Sequence, residues 1–251
     1  MNSYGYRRGF FSMPPVVKNI IMLNILMLLA YYAAASAFSI NLNSILGLYF
    51  PKSENFKPLQ ILTHMFMHAN FLHLFFNMYA LFIFGQMLEA VWGSKRFLIY
   101  YLVCGLGAAL THESVIAYEY AKLVSTISPD DLQLVLNEGS AYLKAGKVFS
   151  DSGMQSLQLL LNTPTVGASG AVFGILLAFG ILFPNTQLMI IFPPIPIRAK
   201  YFVIIYGVIE LYLAFTQPGS NIAHAAHLGG MLFGIILILI SLAFNTDGVP
   251  G

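Results

Sequence analysis

The apolar stretches 16–38, 71–88, 97–110, 168–183, 201–215 and 222–244 constrain this chain more than any other feature. Each has the character of a membrane span, although several fall short of the roughly 20 residues that a full crossing needs. The chain is 58% hydrophobic and 9% charged, where an ordinary soluble domain carries roughly 25% charged residues. The predicted fold class is therefore all-α: a polytopic membrane protein built as a bundle of six transmembrane helices. Irregular backbone cannot face lipid at that depth, so polar residues of the spans must face one another or water. Short spans lined by glycine and histidine point to a cavity within the bundle. The net charge of +2 carries little information about partners, because topology distributes the charge.

Orientation follows from the basic residues. Arg7, Arg8 and Lys18 flank the first span, Lys95 and Arg96 separate the second and third, and Arg198 and Lys200 precede the fifth. If the spans alternate, all three groups share one side, which is then cytoplasmic, as are both termini. The N-terminal Tyr6-Arg-Arg-Gly-Phe-Phe11 resembles a twin-arginine signal, and Ala33-Ala-Ala-Ser-Ala-Phe38 resembles a cleavage site. The apolar stretch is longer than a signal core and more spans follow, so a retained first helix is expected. The single cysteine, Cys104, excludes an intrachain disulfide and a cysteine metal site, and is expected to be a small core residue.

Two non-cytoplasmic loops stand out. Residues 39–72 hold Pro51 and Pro58 and are expected to pack on the bundle or dip into the membrane interface. Residues 112–165 hold most of the acidic residues and read as two or three short amphipathic helices. One helix is predicted to start with Ser128 as cap, Pro129 in the first helical position and Asp130 and Asp131 in the first turn. The run Phe192-Pro-Pro-Ile-Pro has too many prolines for a helix and is predicted to be an interfacial turn.

Thr165-Val-Gly-Ala-Ser169-Gly170-Ala-Val-Phe-Gly174 places one serine among glycines at the mouth of an apolar helix, and Ala223-His224-Ala-Ala-His227-Leu-Gly-Gly230-Met-Leu-Phe-Gly234 starts another with histidines. Gly230 and Gly234 lie on the face of His227 and would let that helix sit against Gly170 and Gly174. Such close approach is what a serine–histidine hydrogen bond of roughly 2.6 to 3.2 Å requires. His224 is the rival base; His227 is preferred for its alignment with the glycines and its deeper position. An isolated serine among glycines would read as helix packing. His73 and Asn77, four apart, share a face of the second span. They suit a developing oxyanion, where each donor is worth about 3 to 4 kcal/mol, or else helix-to-helix hydrogen bonds worth about 0.6 to 2 kcal/mol. In a regular helix His64 and His68 would face away from His73.

Gly-Ala-Ser169-Gly, Ala-His227-Leu-Gly-Gly-Met-Leu-Phe-Gly and His73-Leu-Phe-Phe-Asn77, by their order and spacing on the fourth, sixth and second spans, resemble the rhomboid family of intramembrane serine proteases, over about Leu62 to Phe244. The resemblance implies Ser169 as nucleophile, His227 as base, and His73, Asn77 and the backbone N–H of Ser169 as oxyanion donors. It implies a structural part for Glu89, at the cytoplasmic end of the second span. Its bacterial type implies the bacterial cytoplasmic (inner) membrane. The organisation is then a cytoplasmic tail 1–15, a six-helix rhomboid core 16–244 that includes the insert 112–165, and a C-terminal tail 245–251. The chain departs from the family at Leu59-Gln60, where many members carry Trp-Arg, and in the length of its insert.

Glu210 is the one carboxylate in the last three spans and lies toward the middle of the fifth. It is expected to stand apart from the site, leaving a Ser169–His227 dyad without a cofactor or metal. The expected partners are transmembrane protein substrates within the lipid bilayer, and nucleic acid is not among them. A peptide bond inside a helix is shielded by its own turn, so substrates are expected to be single spans with glycine, proline or other helix-weakening residues near the outer end. The fifth span is the expected moving element. Two other readings remain: a non-catalytic protein that binds membrane helices on the same scaffold, and a histidine-rich metal or haem protein using His64, His68, His73, His224 and His227.

Overall fold

The computed structural model describes residues 13–189, 195–216 and 224–244, with side chains to 241. Arg7, Arg8, the twin-arginine-like run, most of the N-terminal tail, most of the Phe192 proline run, Ala223 and the C-terminal tail lie outside the described residues. Spans one to three correspond to α1 (Pro15–Phe38); to the α4 (Phe71–Ala80) and α5 (Gln86–Trp92) helices joined by a π-helical stretch Leu81–Gly85; and to α6 (Ser94–Thr126). Spans four to six are α9 (Ser169–Leu182), α10 (Ala199–Thr216) and α11 (His224–Phe244). Five of these are long and apolar enough to cross a membrane, and α9 is the shorter apolar helix among them.

The shortness of α9 organises the bundle. Its 14 residues extend about 21 Å at 1.5 Å per residue, against a hydrocarbon core of about 30 Å, so at least one end is recessed from a membrane face. It is buried nearly all round, from Gly170 to Gly180, as a helix that is apolar on every side must be. α6 and α11 pack against it closely enough that glycine is required. A Cβ on Gly230 would strike the Gly170 carbonyl, and one on Gly174 would meet Cys104 Sγ at 2.5 Å and the Gly230 carbonyl oxygen at 3.0 Å. Cys104 is a buried small residue in this seam. The Tyr100 hydroxyl donates to the Gly174 carbonyl at 2.9 Å.

α1 is anchored at its N-terminus by Glu89. The Glu89 carboxylate accepts from the backbone N–H groups of Val16 (3.0 Å) and Val17 (2.8 Å) and from Ser94 Oγ (2.7 Å). An anion at a helix N-terminus satisfies donors that have no intrahelical partner.

The third span continues past residue 110, the end expected from hydropathy. α6 stays helical for 33 residues, about 50 Å, and the insert packs on its extension. There α7 (Pro129–Lys144) and α8 (Ser152–Asn162) form a second core of Val135, Phe149, Met154, Leu157 and Leu161 together with Phe50. α7 begins where the sequence places it, with Ser128 Oγ accepting from Asp131 N–H at 3.1 Å. Buried Gln158 links the two helices, accepting from Phe149 N–H (3.2 Å) and donating to the Gly139 (2.9 Å) and Lys147 (3.2 Å) carbonyls. Flanking the proline run, β1 (Gln187–Met189) and β2 (Pro196–Arg198) pair antiparallel, a hairpin the sequence reading did not anticipate.

Within residues 39–72, α2 (Leu42–Leu46) and α3 (Gln60–Thr63) are tied together by the Gln60 side chain. Its amide donates to the Ile45 (3.1 Å) and Asn55 (3.0 Å) carbonyls and accepts from Lys57 N–H (3.0 Å). The residue that departs from the family pattern therefore organises this loop.

Candidate active site

Ser169 is the first residue of α9. The segment before it is pinned on three sides: Thr165 pairs with Leu48 through backbone bonds of 2.8 and 2.9 Å, and Gly167 N–H donates to the His64 carbonyl at 2.9 Å. The third tether is His112 Nε2 to Thr165 Oγ1 at 2.9 Å. Gly167 has φ +138°, and a Cβ there would lie 2.9 Å from His73 Cε1, so both backbone conformation and space demand glycine. The first N–H groups of a helix lack intrahelical acceptors and carry its positive dipole end, which leaves a donor array beside Ser169.

His227 comes from the first turn of α11. Its Nε2 lies 2.9 Å from Ser169 Oγ, and its ring stacks on Phe173 with centroids 4.1 Å apart and planes 5° from parallel. Phe173, one helical turn after Ser169, thus holds the imidazole flat over α9; its spacing from the serine was the signal that could have marked it. Tyr206 of α10 also packs on Phe173, with ring centroids 5.3 Å apart.

His73 sits in the first turn of α4, whose cap Asn70 accepts from His73 N–H at 2.9 Å. Its ring borders Gly167, next to Ser169. Asn77 is buried one turn on, and its amide donates to the His73 carbonyl at 3.1 Å. Among the described residues no hydrogen bond joins either side chain to Ser169.

The chain before α4 is not one regular helix. α3 leads into a 3-10 turn at His64–Phe66, and residues 67–70 are non-helical, so the face assignment for His64 and His68 does not hold: the His68 and His73 rings meet edge-on at 5.0 Å. Burial, and then the neighbouring His73, push the His68 imidazole down to about 3, which keeps it neutral. Burial likewise lowers His64, whose Nδ1 lies 3.0 Å from the Gln60 carbonyl. A cavity of ≈ 20 Å³ lies beside Ser169, bordered by His64, His112, Thr165, Gly167 and Ala226. It is large enough for one water molecule.

Two expectations are corrected. The five histidines do not gather around one point: among the described residues, the one group of three close metal-ligand donors is Glu210, His224 and His227. Glu210 does not stand apart from the site either. Its Oε2 accepts from His224 Nδ1 at 2.7 Å and lies 3.0 Å from His227 Nδ1. The middle of the fifth span lies level with the start of the sixth, which linear position alone does not reveal.

Fold and site together define a polytopic α-helical membrane protein with a serine–histidine pair inside its bundle. Residues 55–244 match the Rhomboid family, described as a rhomboid domain, and the chain belongs to that family. It is similar to Rhomboid protease AarA of Providencia stuartii, at 31% identity over 189 residues covering 72% of this chain and 53% of that protein. It is also similar to the mitochondrial Rhomboid protein 1 of Saccharomyces cerevisiae, at 25% identity over 178 residues covering 71% of this chain and 40% of that protein. The chain thus spans about half the length of the first relative and less of the second.

Proposed function

We propose that this protein is an intramembrane serine endopeptidase that hydrolyses a peptide bond in or near the outer end of single-span transmembrane substrates. The observation that carries the reading is the 2.9 Å approach of His227 Nε2 to Ser169 Oγ at the N-terminus of the buried helix α9. Membership of a family that includes a named protease supports it.

In this mechanism neutral His227 takes the Ser169 proton on Nε2 as Oγ attacks the scissile carbonyl carbon. The carbonyl electron pair moves onto oxygen, and the oxyanion is stabilised by the Ser169 backbone N–H at the helix N-terminus together with His73 and Asn77. Asn77 must turn its amide from the His73 carbonyl to contribute. Collapse of the intermediate breaks the C–N bond, and His227 returns its proton to the leaving amine. A water entering through the cavity beside Ser169 attacks the acyl carbon as His227 takes its proton; the C–Oγ bond then breaks, His227 returns the proton to Ser169 Oγ, and the acid product leaves. Such water must come from the non-cytoplasmic side. The site of action is the bacterial cytoplasmic membrane.

The test is cleavage of a fluorescent transmembrane segment in liposomes by wild type, Ser169→Ala and His227→Ala, with and without glycine or proline near the outer end of the segment. The expected outcome is cleavage by wild type alone, and faster cutting of the helix-weakened segment. Undiminished cleavage by folded Ser169→Ala would overturn the assignment. Retention of a bound transmembrane segment without any cleavage by wild type would favour a non-catalytic helix-binding protein. Equal cutting of a uniformly leucine-rich segment would contradict the substrate class.

A further inference from the structure

A carboxylate in the middle of a membrane span is costly unless it is paired, and it marks function more often than packing. α10 has one, Glu210, and it is buried while most of that helix faces outward. Both histidines at the start of α11 turn their Nδ1 atoms to the same Glu210 oxygen, at 2.7 Å for His224 and 3.0 Å for His227. His227 is therefore flanked on both ring nitrogens, by Glu210 Oε2 on one side and by Ser169 Oγ on the other. The Nδ1 approach of His227 is short in distance but off the hydrogen-bond line, and among the described residues no other group bonds that nitrogen. Phe173 confines the ring to one plane, so a small in-plane turn of the imidazole or the carboxylate brings the bond into line.

Resting on the protease reading, we propose that Glu210 is a positioning residue for His227, making the site a Ser169–His227–Glu210 relay in which His224 holds the carboxylate in place. Glu210 keeps the proton of neutral His227 on Nδ1. The Nε2 lone pair then faces Ser169 Oγ. When Nε2 takes the serine proton the ring becomes an imidazolium, and the carboxylate 3.0 Å away stabilises that charge without itself accepting a proton. In the wrong tautomer Nε2 would carry hydrogen and could not act as base. A purely mechanical link between α10 and α11 would not need both Nδ1 atoms on one oxygen beside the nucleophile.

The same three side chains offer donors within 4.8 Å of one another, which is the competing arrangement. Tetrahedral zinc with bonds of about 2.0 to 2.1 Å spaces its ligand atoms about 3.3 Å apart. The 2.7 and 3.0 Å separations here are hydrogen-bond distances, and they favour the relay.

The test uses the full chain in liposomes, with active sites titrated by a fluorophosphonate so that rates are per competent molecule. Glu210→Gln keeps shape and an acceptor but loses the charge. It is expected to lower kcat about 10- to 100-fold with KM changed less than about twofold, at a thermal midpoint close to wild type. Glu210→Ala is expected to be slower still. The proposal is overturned if Glu210→Gln retains wild-type kcat per titrated site, whatever its stability. It is equally overturned if EDTA abolishes labelling of wild type and zinc restores it. Failure of the underlying protease reading is distinguishable, because there wild type would not cleave or Ser169→Ala would keep cleaving, whereas failure of this proposal alone leaves wild type and Glu210→Gln active and Ser169→Ala inactive.

Discussion

α11 has two sides, and they are built on opposite principles. Toward α9 and α6 it meets a seam of small residues: beyond the Gly170–Gly230 contact, a Cβ on Gly229 would lie 2.5 Å from Thr111 Oγ1, and one on Gly107 would strike the Phe233 ring. Toward α10 the packing is looser, with a Cβ on Gly207 meeting the end of the flexible Met231 side chain at 3.3 Å and Glu210 bridging the two histidines. Ile204, Val208, Leu211 and Tyr212 leave α10 largely apolar on its exposed surface. A rigid seam fixes the distance between Ser169 and His227, while the α10 side combines a polar clasp with soft contacts. That contrast supports the proposal that α10, rather than α6 or α9, is the helix that moves when a substrate enters.

The largest effect is expected at the seam. Gly230→Ala places a methyl group against the Gly170 carbonyl, and only separation of the helices relieves it. Overpacking of this kind costs about 1 to 3 kcal/mol or more, and cleavage should fall at least about 100-fold as the serine and histidine part. Wild-type cleavage by this variant would break the contrast between the two sides. Glu89→Ala supplies a control for stability alone, since it removes the acceptor for Val16 and Val17. It should cost about 2 to 4 kcal/mol in thermal unfolding yet leave kcat per titrated site near wild type; a matching collapse of kcat would show that stability, not alignment, explains the seam.

Smaller effects sharpen the picture. Phe173→Leu keeps an apolar side chain but loses the stack on His227, and kcat is expected to drop about 2- to 10-fold, the equivalent of an aromatic contact of about 0.5 to 1.5 kcal/mol. No change in single-turnover rate would remove Phe173 from the account. Gly207→Ala on α10 should shift stability by less than about 1 kcal/mol, because Met231 can yield. A loss as large as that of Gly230→Ala, seen by thermal unfolding, would make the two sides alike.

The spans and the glycine spacing of the seam were readable because each depends on local composition or on the 3.6-residue period. Three features were not. Residues 111–126 leave the apolar range with Glu113, Glu119 and Lys122 yet contain no glycine or proline, so α6 continues to the Ser128-Pro129 signal. A fall in hydropathy ends a membrane span, but it does not end a helix. A regular helix through Met67 would turn His68 away from His73, but Asn70, just before Phe71, is a cap residue type that marks a fresh start, and the chain is non-helical from 67 to 70. The depth of Glu210 along α10 sets it apart from the site in the sequence, whereas its pairing with His224 and His227 depends on how α10 and α11 face each other, a tertiary relation that no single-helix period carries.

The most direct measurement is fluorophosphonate labelling of the purified protein, followed by peptide mass spectrometry to locate the adduct. The account predicts a single phosphonyl adduct on Ser169 in wild type and none in folded His227→Ala, since the serine is nucleophilic only through the 2.9 Å contact with its base. Equal labelling of Ser169 without His227, or an adduct on another residue that survives in folded Ser169→Ala, would contradict it.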